Sequence, residues 1–485
     1  MQSSNKSHLF CFFFLFFFFS TLITLKGQTD IPEYATVLSQ YIQFPSEQYK
    51  EKQAGLFFME MCKKKGLVAE VLTDEDTAFN FIASVYPLSE KKPNIILLNH
   101  IDVVPPGDTT RWKFPPYGGV IQDRIIWGRG AIDDKGMAVA QLFAISEFTN
   151  ICKYKELPFN ISILCVAGEE TDGYTGAKQV SDRFLEKLNP FLILGEGGSG
   201  IKGLIRSDPE KKVFGISTAE KSKVILHLEM DLKSSGHGSV PPNEYAMKEM
   251  IFALEKLLKK KPEIQYEMIS VRALKTLGKE EKGIKGFIQR NFTFVFFKPL
   301  AKREIKKDPM LLSFFANTIT FTNLIIPEAS DNQISQTVKA TFDCRLLPGT
   351  KTDKFIRNVN RWIKDPRVKV RVSYEVRSAP KTDSPEYFKI LSNSIKEVHP
   401  GATVVSMIFP ATTDNNFFRE KGIPVFGISP SCFSEQEITS IHNLNENISF
   451  ESIESSIAVY KKFLENMMKI DQKAKKSSKK LEAKE

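Results

Sequence analysis

PNIILLNHIDVVP (residues 93–105) is the stretch that decides the fold. Its continuous run of Ile and Leu predicts a strand that is buried on both faces, as in a parallel sheet covered by helices. His100 and Asp102 follow that run, at the edge of the sheet where ligands bind in such folds. Asp102 lies on the same side of an extended chain as His100, so it can accept the second ring N–H of a metal-binding histidine. The alternative is a surface histidine beside an unrelated carboxylate.

Strand-like and helix-like segments alternate on both sides of this stretch. Apolar strands are predicted at 160–166 and 191–194, and amphipathic helices at 137–148 and 177–188. This alternation predicts an α/β fold with a mainly parallel sheet covered by helices. From about residue 224 the order becomes strand, helix, basic insertion, strand, helix and strand, which indicates a smaller α+β domain with an antiparallel sheet. The α/β pattern then returns, so the second domain is inserted into the first.

The predicted domain boundaries follow from this pattern. They are a signal peptide at 1–27, a first domain in two parts at 28–217 and 381–468, an inserted domain at 218–380 and a Lys-rich tail at 469–485. At the N-terminus, a lysine precedes an apolar run of Phe and Leu, which is typical of a secretory signal. We therefore expect a secreted or periplasmic protein, or a membrane-anchored one if the run is not cleaved.

The formal net charge of +10 is concentrated in Lys256–Lys307 and in the tail after Asp471. Neither segment has the alternation of aromatic and basic residues that stacks nucleobases, which argues against a nucleic-acid partner. An anionic membrane is a second candidate partner for such a surplus. The preferred interpretation is a solubilising surface.

Four further motifs carry side chains that bind metals. They are GAIDDKG at 130–136, GEETD at 168–172, GEGG at 195–198 and IHNLNEN at 441–447. Each motif alone has an ordinary explanation: an N-terminal helix cap, a solvated acidic loop, a glycine turn and a loop histidine. Their coincidence with His100 favours a metal site.

Together these motifs supply the ligands for two zinc ions. Zinc binds histidine and carboxylate donors and keeps an open position in catalytic sites. Two zinc ions about 3.5 Å apart need one shared ligand and about two terminal ligands each. The residues that meet this count, with Asp133 shared, are His100, Asp133, Glu170, Glu196 and His442. Glu169 is left over as a general base. Cobalt or manganese would suit similar donors.

With HIDVVP, GRGAIDDKG, GEE, GEGG and IHNLNE in this order, the chain resembles the di-zinc metallopeptidase and amidohydrolase family of aminoacylase, carboxypeptidase G and carboxypeptidase S. The resemblance spans about residues 30–468 and is closest to the branch of carboxypeptidase S and the secreted N-fatty-acyl-amino-acid hydrolases. It implies a zinc-peptidase-like fold whose inserted domain is a ferredoxin-like lid that also dimerises. It further implies that Asp133 bridges the metals, Asp102 orients His100, Glu169 is the base, and the peptide after Asp133 is cis.

The resemblance also assigns residues of the lid. GHGS at 236–239 resembles a lid motif whose histidine, here His237, stabilises the tetrahedral oxyanion, often across a dimer. Asn332 and Arg345 match further lid positions, and Arg345 is implied to clamp the substrate carboxylate, unless it is an ordinary strand-end arginine. In ATTDNN, Asn416 stands where the family commonly has an arginine that binds a carboxylate. This departure leaves the substrate class open.

The predicted function is zinc-dependent hydrolysis of an amide or peptide bond next to a free carboxylate, as in a carboxypeptidase. An N-acyl-amino-acid hydrolase, with long acyl chains included, is an alternative that the sequence does not separate from it. An alternative of another class is a catalytically silent zinc-binding surface protein. The predicted partners are a small peptide or N-acyl-amino-acid substrate and a second copy of the chain, joined through the lid.

Overall fold

The computed structural model describes residues 31–75, 78–152, 156–233, 236–327 and 330–482, so the predicted signal at 1–27 lies outside the described residues. The strands are β1 (Val68–Glu75), β2 (Ala78–Ser84), β3 (Asn94–His100), β4 (Val120–Gln122), β5 (Ile125–Trp127), β6 (Asn160–Val166), β7 (Pro190–Ile201), β8 (Val213–Glu220), β9 (Ser222–Asp231), β10 (Gly236–His237), β11 (Thr318–Ile325), β12 (Gln333–Ile334), β13 (Thr337–Leu346), β14 (Val368–Val376), β15 (Thr403–Phe409), β16 (Val425–Phe433) and β17 (Asn447–Ser449).

The helices are α1 (Glu33–Ile42), α2 (Glu51–Lys64), α3 (Lys135–Ile151), α4 (Gln179–Arg183), α5 (Leu185–Leu188), α6 (Ala246–Leu258), α7 (Met268–Glu280), α8 (Gly283–Asn291), α9 (Lys298–Lys307), α10 (Pro309–Phe315), α11 (Thr352–Ile363), α12 (Pro385–Val398), α13 (Asn415–Glu420), α14 (Glu435–Ser440) and α15 (Phe450–Glu482). None of these described helices combines the length and the apolar character that crossing a bilayer requires.

A central sheet of eight strands organises the larger part of the molecule, in the order β1-β2-β6-β3-β7-β16-β8-β15. Its inner pairs β6–β3, β3–β7 and β7–β16 are parallel, and so is β8–β15 at one edge. The strands β1 and β2 extend the other edge in antiparallel fashion. The predicted α/β fold with a mainly parallel sheet is therefore confirmed.

Both faces of this sheet are covered, which explains the unbroken apolar run in β3. Ile95 and Leu97 pack into a core shared with α1, α2, α3, α12 and α15. Ile96 and Leu98 point the other way, into a core with α4, α5 and α13. Because successive side chains of a strand alternate between faces, Ile95 to Leu98 are all apolar, and the polar residues Asn94 and Asn99 of β3 are buried with their amides hydrogen-bonded.

The inserted segment forms a second, antiparallel sheet in the order β11-β13-β9-β14. Helices α6 and α11 pack on this sheet around a separate apolar core that includes Leu226, Ala253, Phe342 and Val359. This is the predicted α+β arrangement, and we refer to it as the lid. The exact boundaries at 217/218 and 380/381 stay predictions.

Three segments differ from their predictions. The helix predicted at 177–188 is broken into a π-type turn at Tyr174–Lys178 followed by α4 and α5. Gly176 has non-helical angles there, and a Cβ on it would lie 1.9 Å from the carbonyl oxygen of Ala167, so the turn lies directly against the end of β6. The basic insertion folds into α7 to α10 around a small core of its own. The segment predicted as a Lys-rich tail at 469–485 continues α15 to Glu482 within the described residues.

Candidate metal centre

The predicted ligands meet at the carboxyl ends of the parallel strands. His100 is the last residue of β3, Glu170 lies in the turn after β6, and Glu196 lies in β7. Asp133 belongs to the loop before α3, and His442 belongs to the loop after α14. This is the edge of the sheet that the sequence predicted, since ligands of parallel sheets bind beyond the carboxyl ends of the strands.

Asp133 lies between the two histidines. Its Oδ1 is 2.9 Å from Nε2 of His100, and its Oδ2 is 3.0 Å from Nε2 of His442. The same nitrogen of His442 is 3.1 Å from Oε1 of Glu170. Each oxygen of one carboxylate thus faces a different imidazole, which is the geometry required of a ligand shared by two cations.

The donor atoms form two groups that share Asp133. The first group is His100, Asp133 and Glu196, and the second is Asp133, Glu170 and His442; within each group the ligand atoms lie within 4.8 Å of one another. Imidazole nitrogens and carboxylate oxygens are the donors that zinc takes in catalytic sites. Among the described residues, the five predicted ligands therefore fit a pair of divalent cations.

The electrostatics of these groups also favour cations. Hydrogen bonds to Asp133 and Glu170 raise the pKa of His442 to about 10, so the surrounding carboxylates hold a positive charge even on an exposed imidazole. Burial, together with the charge of Glu169, raises the pKa of Glu196 well above its usual range. Converging carboxylates with raised pKa values are stabilised when a bound cation balances their charge.

Asp102 connects His100 to the turn after β6. Nδ1 of His100 is 2.9 Å from the backbone carbonyl oxygen of Asp102 and 3.5 Å from its carboxylate. The carboxylate instead accepts the backbone N–H groups of Glu169 and Glu170, at 3.1 and 2.9 Å. The nearer partner of the ring is thus a carbonyl oxygen, because the carboxylate is occupied by the backbone N–H groups of Glu169 and Glu170.

Glu446 was not predicted as a site residue, although it belongs to the motif at 441–447. It holds the loop before α3 that contains Asp133, which we call the bridging loop. The buried carboxylate of Glu446 accepts the backbone N–H groups of Gly130, Ile132 and Asp133, at 2.9, 2.9 and 3.1 Å. It also accepts a hydrogen bond from Nη1 of Arg129 at 2.8 Å. Next to this loop the Asp133–Asp134 peptide is cis, as the resemblance implied. Glu446 therefore fixes the backbone from which Asp133 projects.

Glu169 lies beside a narrow cleft between the central sheet and the lid. Lys223, Tyr374 and Asp414 line the same cleft. Burial and the neighbouring carboxylates raise the pKa of Glu169 to about 8. Burial also raises the pKa of Asp414 well above its usual range, and neither oxygen of that buried carboxyl has a hydrogen-bond partner among the described residues. Lys223 was not predicted; a single lysine in an amphipathic strand gives no signal in the sequence.

The asparagines at the start of α13 serve the backbone. The side-chain amide of Asn415 donates to the carbonyl oxygen of Glu196 at 2.6 Å, which positions that ligand. Asn416 is buried, donates to the carbonyl oxygen of Arg377 at 2.9 Å and accepts the N–H of Ala379 at 2.8 Å. Asn416 thus joins α13 to the connection that returns from the lid, and both ends of its amide are engaged away from the cleft.

The predicted lid residues lie apart from the metal ligands. Nε2 of His237 is 3.2 Å from the side-chain amide of Asn332, and both residues are exposed. Arg345 makes two hydrogen bonds with the carboxylate of Asp343, at 2.8 and 3.0 Å, so its guanidinium is already paired. Among the described contacts, none joins these three residues to the five ligands.

Comparison with known proteins is consistent with this centre. The sequence model of peptidase family M20/M25/M40 matches residues 96–466. The chain is 26% identical over 397 residues to the probable carboxypeptidase S-like 2 of Dictyostelium discoideum, with 79% of this chain and 73% of that protein covered. It is also 26% identical over 377 residues to the N-fatty-acyl-amino acid synthase/hydrolase of Mus musculus, with 76% of this chain and 73% of that protein covered.

The fold is similar to those of solved peptidases. The M20 family metallo-carboxypeptidase Sso-CP2 from Sulfolobus solfataricus gives a TM-score of 0.67 at 19% identity, covering 90% of this chain and 99% of that chain. Human carnosine dipeptidase 1 gives a TM-score of 0.65 at 15% identity, covering 90% of this chain and 96% of that chain. The resemblance drawn from the five motifs is confirmed.

Proposed function

Because this chain belongs to peptidase family M20/M25/M40, we propose that it holds two zinc ions and cleaves an amide bond next to a free carboxylate. Family membership makes it a hydrolase of peptide or other amide bonds, as predicted from the sequence. His100 and Glu196 would bind one ion, Glu170 and His442 the other, and Asp133 both. The observation that carries this proposal is Asp133, whose two oxygens face different histidines at 2.9 and 3.0 Å.

Glu169 is proposed as the general base. A bound pair of divalent cations supplies a Lewis acid for the scissile carbonyl and lowers the pKa of a water molecule. The carboxylate of Glu169 takes the proton from the attacking water and delivers it to the leaving amide nitrogen. Two observations support this role: Glu169 lines the cleft, and Asp102 holds its backbone N–H at 3.1 Å.

Glu169→Gln tests this role, because it removes the proton acceptor and keeps the size of the side chain. We expect turnover to fall by about 10² to 10⁴ or more while metal content stays unchanged. Glu186→Gln, which makes the same change at an exposed acid of α5 that does not line the cleft, is the matched control and should keep near-normal turnover. Near-normal activity of Glu169→Gln would exclude Glu169 as the base.

Lys223 is proposed to receive the free carboxylate of the substrate. Among the described residues that line the cleft beside Glu169, Lys223 carries the single positive charge. The two other candidates are engaged elsewhere, since Arg345 is paired with Asp343 and Asn416 is bonded to backbone groups. A lysine can thus supply the charge that the family commonly takes from an arginine.

Lys223→Met should lower kcat/KM about 10- to 100-fold for a substrate with a free carboxylate, because one charge-assisted contact is lost. The same substrate with a terminal carboxamide should be cleaved equally by wild type and variant. Arg345→Met is the control and should affect the two substrates alike. An equal loss on the carboxylate and the carboxamide would assign Lys223 a structural role instead.

A specific observation favours the N-acyl-amino-acid alternative. An apolar cavity of about 200 Å³ is lined in part by Gly197 and Gly198, which directly follow Glu196, and its polar side chains are two serines, Ser199 and Ser270. A cavity of about 150 Å³ already admits a benzene ring, so this one has room for part of an acyl chain.

A panel of N-acetyl and N-oleoyl amino acids and dipeptides separates the alternatives. A higher kcat/KM for the N-oleoyl substrates would support the acyl assignment, and a preference for dipeptides would support the carboxypeptidase. Ala273→Phe, which fills the cavity from α7, should then lower activity on N-oleoyl substrates and leave dipeptides unaffected. If metal-loaded protein hydrolysed nothing in the panel, the silent zinc-binding alternative would replace both.

We further propose a homodimer in which His237 completes the partner's site. The exposed pair of His237 and Asn332 makes no described contact with the ligands of its own chain. Glu169→Gln and His237→Ala subunits should each be inactive alone. Mixed after reversible dissociation, they should regain activity, because one site of the hybrid then has both a base and an intact histidine. No recovery in verified hybrids would place His237 outside the reaction.

Secretion through residues 1–27 is the corresponding proposal for location. It is supported by a lysine followed by an apolar run, and it predicts an exported protein that starts near residue 28. The N-terminus of protein recovered outside the cytoplasm decides this, and an intact run there would indicate a membrane anchor.

A further inference from the structure

The basic insertion carries an exposed apolar surface at the corner between α8 and α9. We call this the α8–α9 corner, and its residues are Ile284, Phe287, Phe294, Val295, Phe296 and Leu300. Their exposed fractions range from 48% at Phe287 to 88% at Phe296. The rings of Phe287 and Phe297 meet at 5.4 Å, which joins the face of α8 to the turn that precedes α9. Large exposed apolar patches of this kind mark interaction sites, so a merely solubilising surface is not a sufficient explanation.

Positive charge surrounds this corner. Between residues 282 and 307 the chain has eight basic side chains, Lys282, Lys285, Arg290, Lys298, Lys302, Arg303, Lys306 and Lys307, against one acidic side chain, Glu304. Glu304 lies 3.1 Å from Lys307, and Lys285 pairs with Glu281 from the preceding turn at 3.4 Å. Most of these cations, including Lys302 and Arg303, are exposed. The corner thus combines protruding aromatic rings with a large positive surplus.

These properties select one kind of partner. A second copy of the same face would bring two strongly positive surfaces together, which opposes association. A protein partner would have to enclose side chains as exposed as Phe296 at 88% and Val295 at 75%. A bilayer surface accepts protruding apolar side chains at the level of its headgroups, and anionic headgroups attract the surrounding lysines and arginines.

We propose that the α8–α9 corner docks on membranes that contain anionic lipids, with Phe294, Val295 and Phe296 inserted below the headgroups. The docking is peripheral, because α8 and α9 are short and flanked by charge. The neighbouring helices α7 and α10 line the apolar cavity beside Glu196, and Met310 both lines that cavity and is 44% exposed. Because α7 contacts α8 and α10 contacts α9, a docked corner would bring the helices that line this cavity towards the bilayer. The docking itself does not depend on the proposed reaction.

A tryptophan placed in the corner tests this locally. In the full chain, Phe296→Trp adds emission to that of Trp112, Trp127 and Trp362, and brominated lipids quench only tryptophans that enter the acyl region. Ile251→Trp, at a 56% exposed position of α6 outside the corner, is the matched control. The vesicles are brominated phosphatidylcholine with or without about a quarter of phosphatidylglycerol, in about 0.1 M and about 0.5 M salt. Because the readout is local, vesicle binding by residues 1–27 does not imitate it.

The emission added by Phe296→Trp should fall by about half on anionic vesicles in low salt, with much less quenching in high salt or without phosphatidylglycerol. In the Phe296→Trp variant, adding Lys302→Glu and Arg303→Glu should raise the concentration of anionic lipid needed for half-maximal quenching at least about tenfold. Unquenched emission from Phe296→Trp on anionic vesicles would overturn the proposal. So would equal quenching of Ile251→Trp. A vesicle-independent blue shift that grows with protein concentration would assign the corner to self-association and also overturn it.

Discussion

Glu446→Gln removes the carboxylate that holds the bridging loop, the loop that contains Asp133, and replaces it with a side chain of the same size. In the native chain, one carboxylate oxygen accepts Arg129 and Gly130, and the other accepts Ile132 and Asp133, at 2.8 to 3.1 Å. A glutamine offers one acceptor oxygen, and its NH₂ group would face the remaining two donors. Two buried hydrogen bonds to a charged group are lost, and each buried donor left without a partner costs about 1–3 kcal/mol.

We therefore expect Glu446→Gln to lower the free energy of unfolding by about 3–5 kcal/mol, which agrees with the usual cost of breaking a buried ion pair. The assay is urea unfolding of metal-free protein followed by tryptophan emission, because bound metal would add its own stabilisation. Trp112 lies over the guanidinium of Arg129 at 5.2 Å, so its emission reports on this region. Metal affinity should fall as well, since the backbone N–H of Asp133 loses its acceptor.

Glu147→Gln is the matched control for this substitution. Glu147 pairs with Lys461 at 2.6 Å on the surface, and exposed pairs of this kind contribute about 0.2–1 kcal/mol. Suppose that Glu446→Gln lowers the urea midpoint of unfolding no more than Glu147→Gln does, with the same dependence of the unfolding free energy on urea. Glu446 would then not be holding the loop, and the reasoning would be refuted.

Three further predictions concern metal, packing and pH. Removal of metal by a chelator should abolish turnover, zinc should restore it, and elemental analysis should find about two zinc per chain; a reproducible value near one would contradict the shared role of Asp133. Gly136→Ala should lower the unfolding free energy by about 1–3 kcal/mol and weaken metal binding, because the new Cβ would lie 2.1 Å from the carbonyl oxygen of Ala131. An unchanged melting temperature and metal affinity would argue against this close approach. Burial and the nearby charge of Lys212 lower the pKa of His399 to about 4. Between pH of about 6.5 and 4 the unfolded chain therefore takes up a proton that the folded chain does not. The free energy of unfolding should fall across that window by about 1–2 kcal/mol, because His399 is only half-buried. His399→Gln should flatten that part of the pH profile, and an unaltered acid limb would assign the loss to other groups.

The sequence was sufficient to predict the strands that carry the site, for a physical reason. A strand covered on both faces is mostly apolar, so the runs at 95–98 and 163–166 stand out as apolar segments with definite ends. The polar residues that follow those ends share one edge of the sheet by the geometry of parallel strands. For this reason the sequence alone groups His100, Glu170 and Glu196.

The contacts that connect distant parts of the chain could not be predicted in this way. The carboxylate of Glu446 accepts hydrogen bonds from a loop more than 300 residues earlier in the chain. A carboxylate that accepts backbone N–H groups leaves no pattern in the sequence, because its partners can be residues of any type. The segment that forms α7 to α10 is predicted only as a basic insertion. Its apolar core involves few residues, and the many lysines between them hide the helical pattern in the sequence. The position of Asn416 also depended on the structure, since its two partners belong to the connection from the lid.

The two histidines that face Asp133 are separated by the whole lid, and this has a consequence for biosynthesis. When a ribosome has completed β3, α3 and the entire inserted sheet, the nascent chain still lacks His442 and the carboxylate that secures the loop of Asp133. If the chain holds the proposed pair of ions, capture of the second one must wait until the segment that contains His442 has left the exit tunnel. Translation products that stop anywhere within the lid are expected to be inert, which limits hydrolysis by unfinished chains.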